Sequence, residues 1–125
     1  MALQEMRISF TTDSDGDAVV YGERPVFARL IAVLYDRGDM VTGTDFVLTT
    51  DRYDVVEALL TVANAGTSDK IWYPRRLVQG VADGSNLTGT QGGDREPPLM
   101  IGRPKLTVDE GGDEKSGAFI LIFEE

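Results

Sequence analysis

Short apolar runs cut apart by clusters of Gly, Asp, Asn and Pro dominate this chain. That pattern admits little other than an all-β fold. Met6 to Thr11 sets Met6, Ile8 and Phe10 against Arg7, Ser9 and Thr11, one apolar and one polar face. The polar stretch Thr12 to Asp17 ends this strand, and Ala18 to Tyr21 begins a second. Gly22-Glu23-Arg24-Pro25 is a turn, because proline fixes φ and lacks an N–H donor. Val26 to Tyr35 is the strongest core strand, with Leu30, Ala32 and Leu34 on one side and Ile31, Val33 and Tyr35 on the other. A strand apolar on both faces lies between layers or against a partner chain.

Further strands are predicted at Phe46–Thr50, Ile71–Tyr73, Leu99–Ile101, Leu106–Val108 and Ala118–Phe123. Tyr53 to Ala63 is ambiguous. Val55, Val56, Leu59 and Leu60 keep helical spacing, whereas Leu60-Thr61-Val62 favours a strand, and the strand reading is preferred. Gly80 to Pro98 carries five glycines and two prolines and reads as a long surface loop. The expectation is one domain over residues 1–125, a β-sandwich or jelly-roll-like barrel of about seven to nine short antiparallel strands. The first fifteen or so residues either fold on it or reach to a neighbour, as terminal arms do.

Composition removes much chemistry. The 125 residues hold 21 acidic and 12 basic side chains, a net charge of −9, with no His and no Cys. Imidazole acid–base catalysis, thiolate nucleophiles and Cys or His metal sites all need the absent residues. The negative charge opposes nucleic-acid or anionic-membrane binding. No window approaches the continuous apolar length of a membrane helix, and the start lacks the order of a secretion signal. A 42% apolar content is too high for a disordered tail.

Few clusters could carry chemistry. Asp13, Asp15 and Asp17 resemble the first half of a calcium loop, but Ala18 and Arg24 stand where an EF-hand needs Gly and Glu. They are weak metal candidates; a polar turn held by aspartate side chains explains them better. Asp109-Glu110-Gly111-Gly112-Asp113-Glu114 is a second acidic run and reads as a solvated turn. Two carboxylates across a cleft would permit glycoside hydrolysis, yet no spacing selects such a pair. Trp72, Tyr73, Arg75 and Arg76 suit either an aromatic platform for sugar or protein, or a core tryptophan with polar neighbours, and the core reading is preferred. No cofactor is expected.

In order along the chain, Gly16-Asp17-Ala18-Val19-Val20-Tyr21, the strand after Pro25, Gly43 to Thr50, Tyr73-Pro74-Arg75, Pro98 to Arg103 and Lys115 to Phe119 resemble small proteins from the structural cassettes of tailed bacteriophages. The resemblance implies a non-enzymatic virion component, most plainly a decoration or cement protein on the outer head. Its expected partners are the major capsid protein or other virion proteins. Copies of itself are expected too, a trimer being one form. The resemblance brings no catalytic residues with it. Surplus apolar and basic residues mark the expected partner interface: Trp72, Tyr73, Arg75, Arg76, Pro98, Leu99, Met100 and Arg103. The alternatives are a head–tail neck or tail protein and, from another class, a small carbohydrate-binding β-sandwich.

Overall fold

The computed structural model describes residues 2–52, 58–77 and 95–125. Among these residues there is no helix, so none is long and apolar enough to cross a membrane. Eleven strands run in order: β1 Leu3–Thr11, β2 Ala18–Tyr21, β3 Val26–Asp36, β4 Asp45–Thr50, β5 Leu60–Val62, β6 Lys70–Trp72, β7 Arg76–Leu77, β8 Arg95–Glu96, β9 Leu99–Gly102, β10 Pro104–Asp109 and β11 Ser116–Glu124. The all-β expectation holds. The count exceeds the expected range because the pairing resolves several very short strands.

The larger sheet has the order β1-β11-β3-β6, with β9 also paired to β3, and the second sheet runs β2-β10-β4-β5. All of these pairings are antiparallel. β7 and β8 form a separate two-stranded ribbon. One apolar cluster joins the two main sheets. Met6, Ile8, Phe10, Leu30, Val33, Tyr35, Phe119, Leu121 and Phe123 from the larger sheet meet Phe46, Leu48, Leu106 and Val108 from the smaller. Phe46 bridges them directly, its ring 4.8 Å from Phe119, 5.1 Å from Tyr35 and 5.6 Å from Phe10. Tilted and edge-on packing of this kind suits the aromatic quadrupole.

β3 departs from simple alternation. Val26, Ala28 and Leu30 face the core, and so do Val33 and Tyr35, which have the opposite parity. The pairing with β11 shows the cause: Ile122 stands opposite Ala32 and Phe123 opposite Leu30, leaving Ile31 as an extra residue. A β-bulge of this kind reverses which side chains face inward. The expected face of Leu30, Ala32 and Leu34 is therefore corrected, with Leu30 inward and Leu34 outward. The sequence pattern had no way to place an insertion of one residue.

Residues 3–11 are no detached arm; they pair along their whole length with β11. Buried Thr12 then ties the end of β1 to the turn that leads into β11, its hydroxyl donating to the Gly112 carbonyl at 2.6 Å and accepting from the Lys115 N–H at 2.9 Å. At the turn after β3, Gly38 has φ of 57° and packs its Cα against the Ser116 carbonyl, where a side chain would collide. Of the ambiguous segment, Leu60–Val62 is a strand and residues 53–57 lie outside the described residues. Of the expected long loop, residues 80–94 also lie outside them, while Arg95–Glu96 pairs with Arg76–Leu77.

Candidate functional site

The sequence-selected interface residues lie in or beside β6, β7 and β9, and β6 and β9 are short strands paired to the side of β3 opposite β11. Alternation sends them in different directions. Trp72 turns inward opposite Val33, stacks on Tyr35 at 5.6 Å and 18°, and lies 5.7 Å from Phe119. Met100 points inward opposite Ala28 and is fully buried, and Pro98 is buried beside it with its carbonyl accepting from the Leu30 N–H at 2.9 Å. Met100 and Pro98 are thereby corrected out of the surface, while Trp72 is part-buried against the core, in line with the preferred reading of it. Tyr73 and Leu99 remain on it, 59% and 53% exposed.

The arginines serve the fold. Arg75 Nη1 donates to the Ile31 carbonyl at 3.0 Å and to the Pro74 carbonyl at 2.6 Å. It thus binds the carbonyl of the extra residue in the β3 bulge. Its guanidinium also lies 6.0 Å from the Tyr73 ring. Arg76 and Arg29 approach the two oxygens of Glu96 at 3.5 and 3.8 Å, part-exposed pairs worth under about 1 kcal/mol each. Arg103 holds the opposite turn: its Nε and Nη2 both donate to the Gly22 carbonyl, at 3.1 and 3.0 Å, and the side chain covers Tyr21 at 5.1 Å.

The bulge has a second consequence, on the outer face of the larger sheet. Before Ile31 the outward residues of β3 are Phe27 and Arg29; after it they are Ala32 and Leu34. Phe27 stands opposite Ile101, and Leu34 stands between Ile71 and Ile120. Phe27 is 61% exposed and Ile71 49%. Both halves of the sheet therefore turn apolar side chains outward, with Leu34, Ile101 and Ile120 part-buried, Ala32 buried, and the Arg52 guanidinium 5.9 Å from the Phe27 ring. A shallow cleft of about 430 Å³, lined by Leu34, Asp36, Asp69, Lys70, Ile71 and Ile120, lies within this face. Clustered exposed apolar side chains are the material from which contact surfaces are made. The sequence hinted at it in the two-sided hydrophobicity of Val26–Tyr35, while Phe27 and Ile101 needed the strand register.

The acidic residues gather elsewhere. Asp13 is a turn former, its Oδ1 accepting from the N–H groups of Asp15 at 2.9 Å and Asp17 at 3.0 Å. The three weak metal candidates are thus organised as a loop. The pairing of Asp109 with Asp45, and of Val108 with Ala18, aligns Asp17, Asp109 and Asp45 across the end of the second sheet. Carboxylate oxygens of Asp45, Asp109 and Glu110 lie within 4.8 Å of one another. The Asp17 carboxyl is raised above its ordinary value, chiefly by its hydrogen bond with Asp109, then by desolvation and by the charges of Asp109, Asp13 and Asp15. Asp45 meanwhile accepts from the Asn64 N–H at 2.9 Å, and Asp109 from the Glu110 N–H at 3.0 Å. Sequence spacing could not show this row, since its members are far apart along the chain and only register unites them.

No protein-family model matches this chain, and no curated protein matches it.

Proposed function

We propose that this protein is a non-enzymatic structural component of a tailed-bacteriophage virion, a decoration or cement protein that seats on the outer head surface. One observation carries the reading: the apolar outer face of the larger sheet, where exposed Phe27, Ile71 and Leu99 stand beside part-buried Leu34, Ile101 and Ile120 on an antiparallel scaffold. A lattice-binding protein needs such a repeated, preformed patch more than it needs reactive groups. Several polar side chains support this view by their structural roles. Arg75 and Arg103 are bonded to main-chain carbonyls, and Asp13 organises a turn. The net charge of −9 suits the outside of a DNA-filled shell better than its interior. A neck or tail position is the second reading and would use the same face. Sugar binding through Trp72 is less favoured, because one face of that indole stacks on Tyr35 and the residue is part-buried.

The test is to mix the purified protein with emptied, expanded phage heads and follow co-sedimentation and the melting temperature of the shell. Binding with a raised shell melting temperature is expected, and replacing Phe27 and Leu99 together by Asp is expected to abolish it. Absence of binding to every capsid state would overturn the proposal. The aspartate pair is a cleaner probe than reversing Arg75 and Arg76, because Arg75 caps the β3 bulge.

A further inference from the structure

β1 is a nine-residue edge strand, paired with β11 in unbroken register from Leu3 to Thr11. Its other side has no partner among the described residues. The remaining edges carry protection. β5 and β6 have three residues each, β6 is followed closely by Pro74, β2 has four residues before Gly22, and β9 follows Pro97 and Pro98. β1 contains no proline, glycine or bulge. A long regular edge left open in this way is a template for another strand.

Its backbone direction limits what can dock. The Thr12 N–H donates to the Lys115 carbonyl at 2.8 Å and the Glu125 N–H to the Ala2 carbonyl at 3.4 Å. Even-numbered residues therefore turn their main-chain groups toward β11, and Leu3, Glu5, Arg7, Ser9 and Thr11 turn theirs outward. A second β1 running antiparallel must match odd with odd. Among the central registers, one centred on Arg7 opposes two arginines and one centred on Glu5 opposes two glutamates. Centring on Met6 places Glu5 opposite Arg7 twice, and cross-strand pairs of opposite charge favour that register. Arg7 is already held on the outer face, with Nη2 2.9 Å from Asp36 and Nε 3.4 Å from Ser9 Oγ, and its Nη1 makes no hydrogen bond or ion pair among the described residues. Glu5 makes no ion pair among the described residues.

We propose that β1 pairs antiparallel with β1 of a second copy about a two-fold axis at Met6, Glu5 of each chain facing Arg7 of the other. The two larger sheets then become one continuous sheet. The inference stands on edge geometry and is independent of the virion reading.

Sedimentation equilibrium of the isolated protein, up to about 1 mM chain so that weak association is captured, is expected to show a dimer. E5R alone and R7E alone are expected to be folded monomers, since each opposes like charges in this register. An equimolar mixture of the two is expected to dimerise again, arginines facing glutamates. If R7E fails to fold, the E5R/R7E chain takes its place and is expected to restore the dimer that E5R loses. Amide exchange at Glu5, Arg7 and Ser9 is expected to slow at least tenfold on dimerisation. A wild-type monomer at every concentration, a dimer that survives E5R, or unprotected amides at those three residues in a dimer would each overturn the proposal. Attachment to phage heads by a protein that is monomeric in solution would remove this inference and leave the virion reading standing.

Discussion

Replacing Tyr35 with Phe is expected to stabilise the protein. Tyr35 sits at the centre of the aromatic core, 1% exposed, with rings of Trp72, Phe46 and Phe119 around it at 5.6, 5.1 and 5.9 Å. Its hydroxyl is buried without a hydrogen-bond partner among the described residues. Desolvation accordingly pushes the phenol up to about 12, opposed by the Arg37 charge and aided by the charges of Asp69 and Asp36. A buried polar group left unsatisfied costs about 1–3 kcal/mol, and Phe removes it while keeping every ring contact. The unfolding entropy of about 2.1 cal/mol/K per residue makes each kcal/mol worth roughly 4 °C for a chain of this length. Y35F should therefore melt about 4–12 °C above wild type at neutral pH by calorimetry. A second signature follows from the sign of the shift. A raised folded value means stability is full below about pH 10 and falls as pH rises from there toward about 12. Y35F should lack this alkaline loss. A variant less stable than wild type by 1 kcal/mol or more would show that the hydroxyl makes a favourable bond, and would refute the reasoning.

Arg75→Ala should cost about 1–2 kcal/mol by leaving the Ile31 carbonyl uncapped, with faster amide exchange concentrated around the β3 bulge; unchanged exchange there would remove the cap from the account. Asp109→Asn should raise the melting temperature at neutral pH by relieving Asp17, and the gain should shrink on acidification, because wild-type Asp17 takes up a proton more readily folded than unfolded. The opposite sign applies to Asp36 and Glu125, whose carboxyls are held below their ordinary values chiefly by hydrogen bonds from Arg7 and Arg24. Their contribution is full above the usual carboxylate range and is lost as pH falls through their lowered values, so Arg7→Ala together with Arg24→Ala should flatten the acid limb of a stability–pH curve.

The all-β class and the positions of most strands were legible because Gly, Pro and Asp punctuate apolar runs, as between Tyr21 and Val26. Side-chain direction was legible wherever alternation is unbroken, as in Met6, Ile8 and Phe10. It failed at Ile31, since a bulge is a relation between two strands and leaves no mark in one. Trp72 was correctly weighed toward the core. Met100 and Pro98 were misplaced on the surface, because an apolar turn looks alike whether its residues face in or out until the register with Ala28 is known. The arginines carried a further ambiguity: the sequence shows a charge, and only the fold shows that Arg75 and Arg103 are directed at carbonyls. The acidic row of Asp17, Asp109 and Asp45 and the outward pair of Phe27 and Ile101 both arise from pairing between distant segments.

The account rests on the outer sheet face being a seat for a larger assembly. An electron cryomicroscopy reconstruction of tailed-phage particles assembled in cells producing this chain tests it most directly. The expected result is density for the chain repeated over the outer shell, with Phe27, Ile71 and Leu99 turned against the capsid lattice. Density confined to the portal vertex, no density in the particle, or a shell-bound chain with those three side chains facing solvent would contradict it.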